Sequence, residues 1–278
     1  MSQINKCLFP VAGYGTRFLP ATKAIPKEML PILTKPLIQY GVEEAMSAGM
    51  TNMVMVTSKY KKAIENHFKP HVDIETSIEG TTKESLLDEV NHVSDQCNFS
   101  YINQEKMLGL GHAIYTGKSF IGNESFAVVL PDDLCTNNGD SVLMQMTELY
   151  SRYPDCCIVA IEEVPMGQVD KYGVIDGELL KGSSNVYQVG NMVEKPNFQD
   201  APSNLAIIGR YILTPEIFDV LENLKPDKNG EIQITDALTV LAKKRKVVAY
   251  KFQGVRFDCG SVEGFVAATN YFAKTRFV

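Results

Sequence analysis

Short apolar runs alternate with amphipathic segments along the first 160 residues of the chain. The run Phe-Ala-Val-Val-Leu at residues 126–130 is the clearest, and its length fits a buried strand. Continuous apolar runs separated by helical segments are typical of parallel strands that helices cover on both faces. The strands predicted in this half are residues 6–11, 53–57, 99–102, 126–130 and 156–161.

Two amphipathic helices are predicted between these strands. Residues 36–48 have Pro36 in the first turn and Gly49 as a stop after the last. Residues 83–95 carry apolar side chains at helical spacing, which predicts one continuous helix. The stripe on this second helix is formed by Leu86, Leu87, Val90 and Val93.

The pattern of apolar residues changes after Lys171, where shorter extended segments replace the long apolar runs. We predict extended segments at residues 172–175, 187–193, 205–213 and 247–252, and helices that begin at Thr214-Pro215-Glu216 and cover 234–244 and 261–272. No internal repeat or Pro/Ser-rich linker interrupts the chain. The second half is therefore expected to extend the same sheet, which predicts an α/β fold.

Composition narrows the classes of protein that remain. The 278 residues suit one large domain, and 45% hydrophobic with 22% charged residues is ordinary for a globular protein. A net charge of −6 without a long basic run argues against general nucleic-acid binding. The six cysteines form no C-x-x-C pair, and no apolar run reaches the roughly 18 residues of a membrane span. We expect buried thiols in a cytoplasmic protein.

A glycine turn follows the first predicted strand, in Ala12-Gly13-Tyr14-Gly15-Thr16-Arg17. Two glycines let the backbone approach an anion closely, and ligands of open α/β sheets bind beyond the carboxyl ends of the strands. A dinucleotide fingerprint would need Gly or Ala where Phe18 stands, so a hydride-transfer site is disfavoured. The alternative for this turn is a purely structural one.

The segment after the glycine turn is rich in proline and in positive charge. Pro20, Pro26 and Pro31 predict a stiff extended path. Lys23 and Lys27 follow Arg17 closely, and stiffly held cations beside a glycine turn suit a polyphosphate. A solvated basic loop is the alternative.

These two segments resemble the signature of the sugar-1-phosphate nucleotidyltransferases, and the resemblance continues through nearly the whole chain. Its further motifs are Gln104 with Gly109-Leu110-Gly111, Leu130-Pro131-Asp132-Asp133, Lys171-Tyr172-Gly173, Val193-Glu194-Lys195-Pro196, Gly209-Arg210-Tyr211, Glu231–Ala237 and Phe257-Asp258-Cys259-Gly260. Asp133 departs from the family pattern, in which an apolar residue often follows the metal-binding Asp.

The resemblance implies a Rossmann-like nucleotidyltransferase core with a mixed, mainly parallel sheet flanked by helices, plus a C-terminal helical extension. It implies one domain over residues 1–278, with a nucleotide part at about 1–135, a sugar part at about 136–260 and a C-terminal helix at about 261–278. The resemblance is strongest for those members of the family that convert UTP and glucose 1-phosphate to UDP-glucose and pyrophosphate with Mg²⁺. It also implies a homo-oligomer, either a dimer or a tetramer.

The roles that the resemblance implies fall into four groups. Catalysis is assigned to Arg17, Lys27 and Lys195; nucleotide binding to Ala12, Gly13, Gly15, Glu28, Gln104 and Gly109; sugar binding to Gly173, Glu194 and Lys195; and metal binding to Asp132 and Asp258. The residue types fit, since Mg²⁺ prefers carboxylate oxygens shared with substrate phosphates and a side-chain amide can pair with a pyrimidine edge.

For several of these residues, a purely structural role remains an alternative. Asp132 could simply cap a strand, and Asp258 could cap the helix that follows it. Glu194 and Lys195 could form a solvated turn, and Gln104 could be a polar loop residue. Two rival functions also remain, a thymidylyltransferase that uses the same sugar phosphate and a non-catalytic module that binds nucleotide sugars.

Overall fold

A nine-stranded mixed sheet forms the centre of the computed structural model, which describes residues 4–276. The strands are β1 Lys6–Pro10, β2 Pro31–Ile32, β3 Lys35–Pro36, β4 Asn52–Thr57, β5 Asn98–Asn103, β6 Phe126–Val129, β7 Asp133–Thr136, β8 Cys157–Glu163, β9 Gly173–Leu179, β10 Val186–Glu194, β11 Leu205–Leu213, β12 Val247–Lys251 and β13 Val255–Asp258. The sheet order is β5-β4-β1-β6-β11-β8-β12-β10-β9, and β2–β3 and β7–β13 form two separate ribbons.

All strands of this sheet except β10 and β11 run in the same direction. The mixed, mainly parallel sheet expected from the sequence is therefore confirmed, with strands of both halves in one layer. The helices are α1 Leu37–Ser47, α2 Lys62–His67, α3 Val72–Ile78, α4 Asp88–Gln96, α5 Gly109–Thr116, α6 Lys118–Ile121, α7 Val142–Arg152, α8 Glu216–Asn223, α9 Ile234–Ala242 and α10 Val262–Arg276.

Two predictions of local structure are wrong. Residues 83–95 are not one helix, because a 3₁₀ turn at Glu84–Leu86 precedes α4, whose first turn holds two acidic residues that favour a helix N-terminus at that point. Leu86 is exposed, whereas Val93 lies in the core.

The proline-rich segment is also not extended. It forms three 3₁₀ turns at Thr16–Phe18, Ala21–Lys23 and Lys27–Met29. The φ angle that proline imposes suits a 3₁₀ turn as well as an extended chain, and local hydrogen bonds decide between them. The Thr22 hydroxyl adds one such bond by donating to the Gly15 carbonyl at 2.7 Å.

The sheet separates two apolar layers, and the alternation of side chains along β1 supplies both. Phe9 packs into one layer, while Leu8 packs into the other with Phe126. The parallel strands β1 and β6 are paired, so their carboxyl ends open on the same edge of the sheet. The glycine turn and Asp132 therefore emerge side by side. Within residues 4–276, no helix is both long and apolar enough to cross a membrane.

A buried ion pair between Arg210 and Glu44 lies next to this edge of the sheet. The Arg210 guanidinium on β11 donates to Glu44 Oε2 at 2.7 Å and to the Leu130 carbonyl at 3.2 Å. Arg210 is 1% exposed. The pair therefore ties α1 to the end of β6, which is the strand that leads directly into Asp132.

Candidate active site

Three adjoining pockets at the carboxyl edge of the sheet share Asp132 in their linings. We call them the base pocket, the phosphate pocket and the sugar pocket according to the sequence predictions. The base pocket includes Ala12, Gly13, Lys27, Gln104 and Gly109. The phosphate pocket includes Gly15, Arg17, Lys27 and Gly260, and the sugar pocket includes Arg17, Gly173, Glu194, Lys195, Arg256 and Asp258.

Asp132 and Lys27 form an ion pair where the pockets meet. Lys27 Nζ donates to Asp132 Oδ2 at 2.5 Å. Burial would raise the pKa of Asp132, but the adjacent Lys27 charge, together with Arg17, brings that pKa below its ordinary value. Burial opposes the charge on Lys27 too, yet Asp132 and Glu28 raise its pKa. Both groups are therefore charged at neutral pH.

The turn at Gly260 brings two carboxylates and a guanidinium to one point. A Cβ placed on Gly260 would lie 3.0 Å from Asp258 Oδ1, 3.1 Å from Asp132 Oδ2 and 3.3 Å from Arg17 Nη1. The Gly260 peptide holds two of these groups, since its N–H donates to Asp258 Oδ1 and its carbonyl accepts from Arg17 Nη1, both at 3.1 Å. Only glycine leaves the space between the carboxylates open.

This open space suits a hard divalent cation. Asp132 and Asp258 contribute carboxylate oxygens of the kind that Mg²⁺ prefers, and Mg²⁺ commonly combines one or two carboxylates with phosphate oxygens of a substrate. In the described part of the chain, no group of three or more His, Cys, Asp or Glu side chains forms a metal site of its own. The donor set therefore fits a cation shared with a ligand.

Asp133 is occupied by protein contacts rather than left open. Its Oδ1 accepts from Arg256 Nε at 2.5 Å, and its Oδ2 accepts from the Gly209 N–H at 2.8 Å. Arg256 also pairs with Glu162, and its guanidinium lies 4.8 Å from the centre of the Tyr172 ring. Asp133 thus anchors the ribbon β7–β13, which carries Asp258 at its end.

Sequence reasoning missed Arg256, although β13 contains a signal for it. Strand alternation places Arg256 and Asp258 on the same face of the ribbon. Arg256 stands two positions before the predicted metal ligand Asp258, and this spacing is the signal that could have predicted it as a site residue.

The sugar pocket is organised around Glu194. The Thr235 hydroxyl donates to Glu194 Oε2 at 3.1 Å, and Lys195 Nζ lies 3.2 Å from Glu194 Oε1. Gly173 lies against this pair, because a Cβ there would come within 2.8 Å of Thr235 Cγ2 and 3.3 Å of Glu194 Oε2. Lys195 has a left-handed φ of 45° and a largely exposed side chain, and it lines the sugar pocket.

The structure does not bring the Glu28 carboxylate into the cleft. Glu28 is 1% exposed, and both of its oxygens accept from Lys61 Nζ, at 3.0 and 2.7 Å. Its place next to Lys27 keeps it near the phosphate pocket. Lys61, which no sequence motif indicated, is the partner that occupies it.

Gln104 lies at the wall of the base pocket. Its backbone N–H donates to the Thr57 carbonyl at 2.8 Å, and its side-chain Nε2 lies 2.9 Å from His112 Nδ1. Gly109, at the start of α5, lines the same pocket.

Residues 10–275 match the family model described as Nucleotidyl transferase, and the chain belongs to this family. It is 57% identical to a UTP–glucose-1-phosphate uridylyltransferase of Pseudomonas aeruginosa, over 96% of this chain and 95% of the relative. It is similar to a crystal structure of apo UDP-glucose pyrophosphorylase, with a TM-score of 0.94, 58% identity and coverage of 98% and 99% of the two chains. A UDP-glucose pyrophosphorylase complexed with UDP-glucose has a TM-score of 0.90 and 56% identity, with coverage of 98% and 100%.

Proposed function

We propose that this protein is an enzyme that transfers the uridylyl group of UTP to glucose 1-phosphate and releases pyrophosphate. The observation that carries the proposal is the position of Asp132, which lines all three pockets and pairs with Lys27. In this proposal the one charged centre adjoins the base, the phosphates and the sugar, each in one of the three pockets. The names of the relatives and of the UDP-glucose complex support the same substrates.

The chemistry we propose is a single in-line displacement. An oxygen of the sugar phosphate attacks the α-phosphorus of UTP, and the bond to the leaving pyrophosphate breaks. Arg17 and Lys27 hold the triphosphate and then the pyrophosphate, while Lys195 holds the attacking phosphate. No covalent enzyme intermediate is required, because positioning and charge neutralisation dominate phosphoryl-type transfers.

We assign Asp132 and Asp258 as ligands of Mg²⁺. When bound, Mg²⁺ supplies positive charge that neutralises developing charge on phosphate oxygens. The Lys27 ammonium donates to Asp132, and in this proposal it also binds a phosphate oxygen of UTP. Arg17 is held by the Gly260 carbonyl, which aims its guanidinium at the same space.

The two substrates divide the cleft along the chain. We assign the base and ribose side to Ala12, Gly13, Gly15, Gln104 and Gly109, within the nucleotide part at about 1–135. We assign the hexose to Gly173 and Glu194, within the sugar part at about 136–260. Glu28 acts in this proposal through Lys27 beside it, since Lys61 already binds its carboxylate.

Pyrophosphate release across several nucleotides and sugar phosphates tests the proposal. UTP with glucose 1-phosphate should be the fastest pair, and dTTP tests the thymidylyltransferase alternative because thymine differs from uracil by one methyl group. Asp132→Asn should lower kcat about 100-fold or more. Asp140→Asn, on an exposed turn, is the matched control and should leave kcat unchanged. Equal use of ATP and UTP, or full activity of Asp132→Asn, would contradict the proposal.

A homo-oligomer and a cytoplasmic location complete the proposal. The oligomeric state is a dimer or a tetramer, which light scattering after size exclusion measures directly. A monomer at micromolar concentration would contradict it. Fractionation of cells that express the protein tests the location.

A further inference from the structure

The contact between Gln104 and His112 defines the protonation of the imidazole. Gln104 Nε2 lies 2.9 Å from His112 Nδ1. With the amide nitrogen facing Nδ1, the nitrogen donates and Nδ1 accepts, which corresponds to a neutral imidazole with its proton on Nε2. Burial, together with the nearby Lys106, lowers the pKa of His112 and favours this neutral form.

The same contact orients the Gln104 amide. With Nε2 turned to His112, the amide oxygen Oε1 is the remaining polar atom of a side chain that lines the base pocket. No donor within residues 4–276 forms a hydrogen bond to this oxygen. Because Gln104 lines the base pocket, a donor on a ligand bound there can supply that hydrogen bond.

Pyrimidines differ at the atom that would meet this oxygen. Uracil and thymine carry an N3–H donor, whereas cytosine has an unprotonated N3 that only accepts. We propose that His112 is a specificity-determining positioning residue, whose Nδ1 holds the Gln104 amide so that Oε1 selects bases with an N3–H over cytosine. This inference rests on the proposed function only in assigning the pocket to the base.

The ring of His112 forms no other hydrogen bond in the described chain. The Thr116 hydroxyl donates to the His112 carbonyl at 2.8 Å, and that bond does not involve the imidazole. Replacing the ring therefore tests the Gln104 contact, and Thr116→Ala tests helix α5 without touching the ring.

The test measures the dissociation constants of UTP and CTP by calorimetry in the absence of any sugar phosphate. His112→Ala frees the amide to rotate and should lower the preference for UTP over CTP roughly tenfold, the scale of one hydrogen bond. His112→Asp keeps an obligatory acceptor at this position and should retain the preference. Thr116→Ala should also retain it. An unchanged preference in His112→Ala, or an equal loss in His112→Asp, would overturn the inference.

A double-mutant cycle separates positioning from a general structural effect. Gln104→Ala should lower the preference by itself, and adding His112→Ala should then change it no further. If His112→Ala lowered the preference by the same factor in both backgrounds, the imidazole would act independently of Gln104, and the inference would be wrong. Because binding is measured without turnover, a protein that binds UTP but transfers nothing would count against the proposed function alone.

Discussion

Gly260→Ala should slow the enzyme without unfolding it. The added methyl group would enter the space between Asp132, Asp258 and Arg17, at 3.0 to 3.3 Å from an atom of each. The φ angle of Gly260 is not in the left-handed region, so alanine fits the backbone there. The cost of the substitution should therefore fall on the position of the two carboxylates.

The expected magnitude follows from these distances. Ordinary contacts between heavy atoms lie at about 3.5–4.0 Å, so each carboxylate must move by several tenths of an ångström. Since a misplacement of about 1 Å in an active site can cost about 100-fold in rate, we expect kcat to fall roughly 10- to 100-fold. The free energy of unfolding should change by less than about 1 kcal/mol, because Gly→Ala at a compatible φ also restricts the unfolded chain.

Initial rates of pyrophosphate release at varied Mg²⁺ concentration measure the effect, and thermal unfolding checks the fold. Gly167→Ala is the matched control, because a Cβ at Gly167 would meet nothing within 4 Å. It should keep wild-type rates. Wild-type kcat and wild-type Mg²⁺ dependence in Gly260→Ala would refute the assignment of this space to the metal.

Three further predictions concern charge and pH. Arg17→Ala should impair the use of UTP and of pyrophosphate about 10- to 150-fold, whereas Lys195→Ala should impair the use of glucose 1-phosphate instead. Steady-state kinetics in both directions measure these effects, and unchanged glucose 1-phosphate kinetics in Lys195→Ala would contradict the division of the cleft between the two substrates. Glu44→Ala leaves the buried Arg210 charge unpaired and should cost about 3–5 kcal/mol in urea unfolding, whereas a loss below about 1 kcal/mol would contradict the account. Burial lowers the pKa of His67 in the folded chain, so the unfolded chain binds that proton more readily and stability should fall as the pH drops below about 6.5. His67→Phe should make the free energy of unfolding less dependent on pH between pH 7 and 5. An unchanged pH dependence in this variant would contradict the prediction.

The sheet could be predicted because its strands carry their own local signal. Residues 126–130 are predicted as a buried strand, and β6 covers Phe126–Val129 with every residue buried. An uninterrupted apolar run of this length needs to be buried on both sides, and a central strand of the sheet meets that need. Helix α4 could not be delimited in this way, since the apolar residues Leu86 and Leu87 have helical spacing but precede the helix. Exposure of Leu86 depends on contacts that spacing does not reveal.

The charged partners of the site could not be predicted from local patterns. Lys61 is 33 residues from Glu28, and Arg256 is 123 residues from Asp133. Each pair is formed by the arrangement of distant elements, so neither spacing nor composition indicates it. The sequence did indicate which segments reach the cleft, because glycine turns and acidic residues directly follow predicted strands. It did not indicate that Lys61 would bind Glu28 or that Arg256 would bind Asp133.

Transfer of label from UTP tests the central claim most directly. The enzyme is incubated with glucose 1-phosphate, Mg²⁺ and UTP labelled at the α-phosphorus, and the products are separated. The account predicts that the label appears in UDP-glucose together with an equal amount of unlabelled pyrophosphate. Label released as UMP, or no label in a nucleotide sugar, would contradict it.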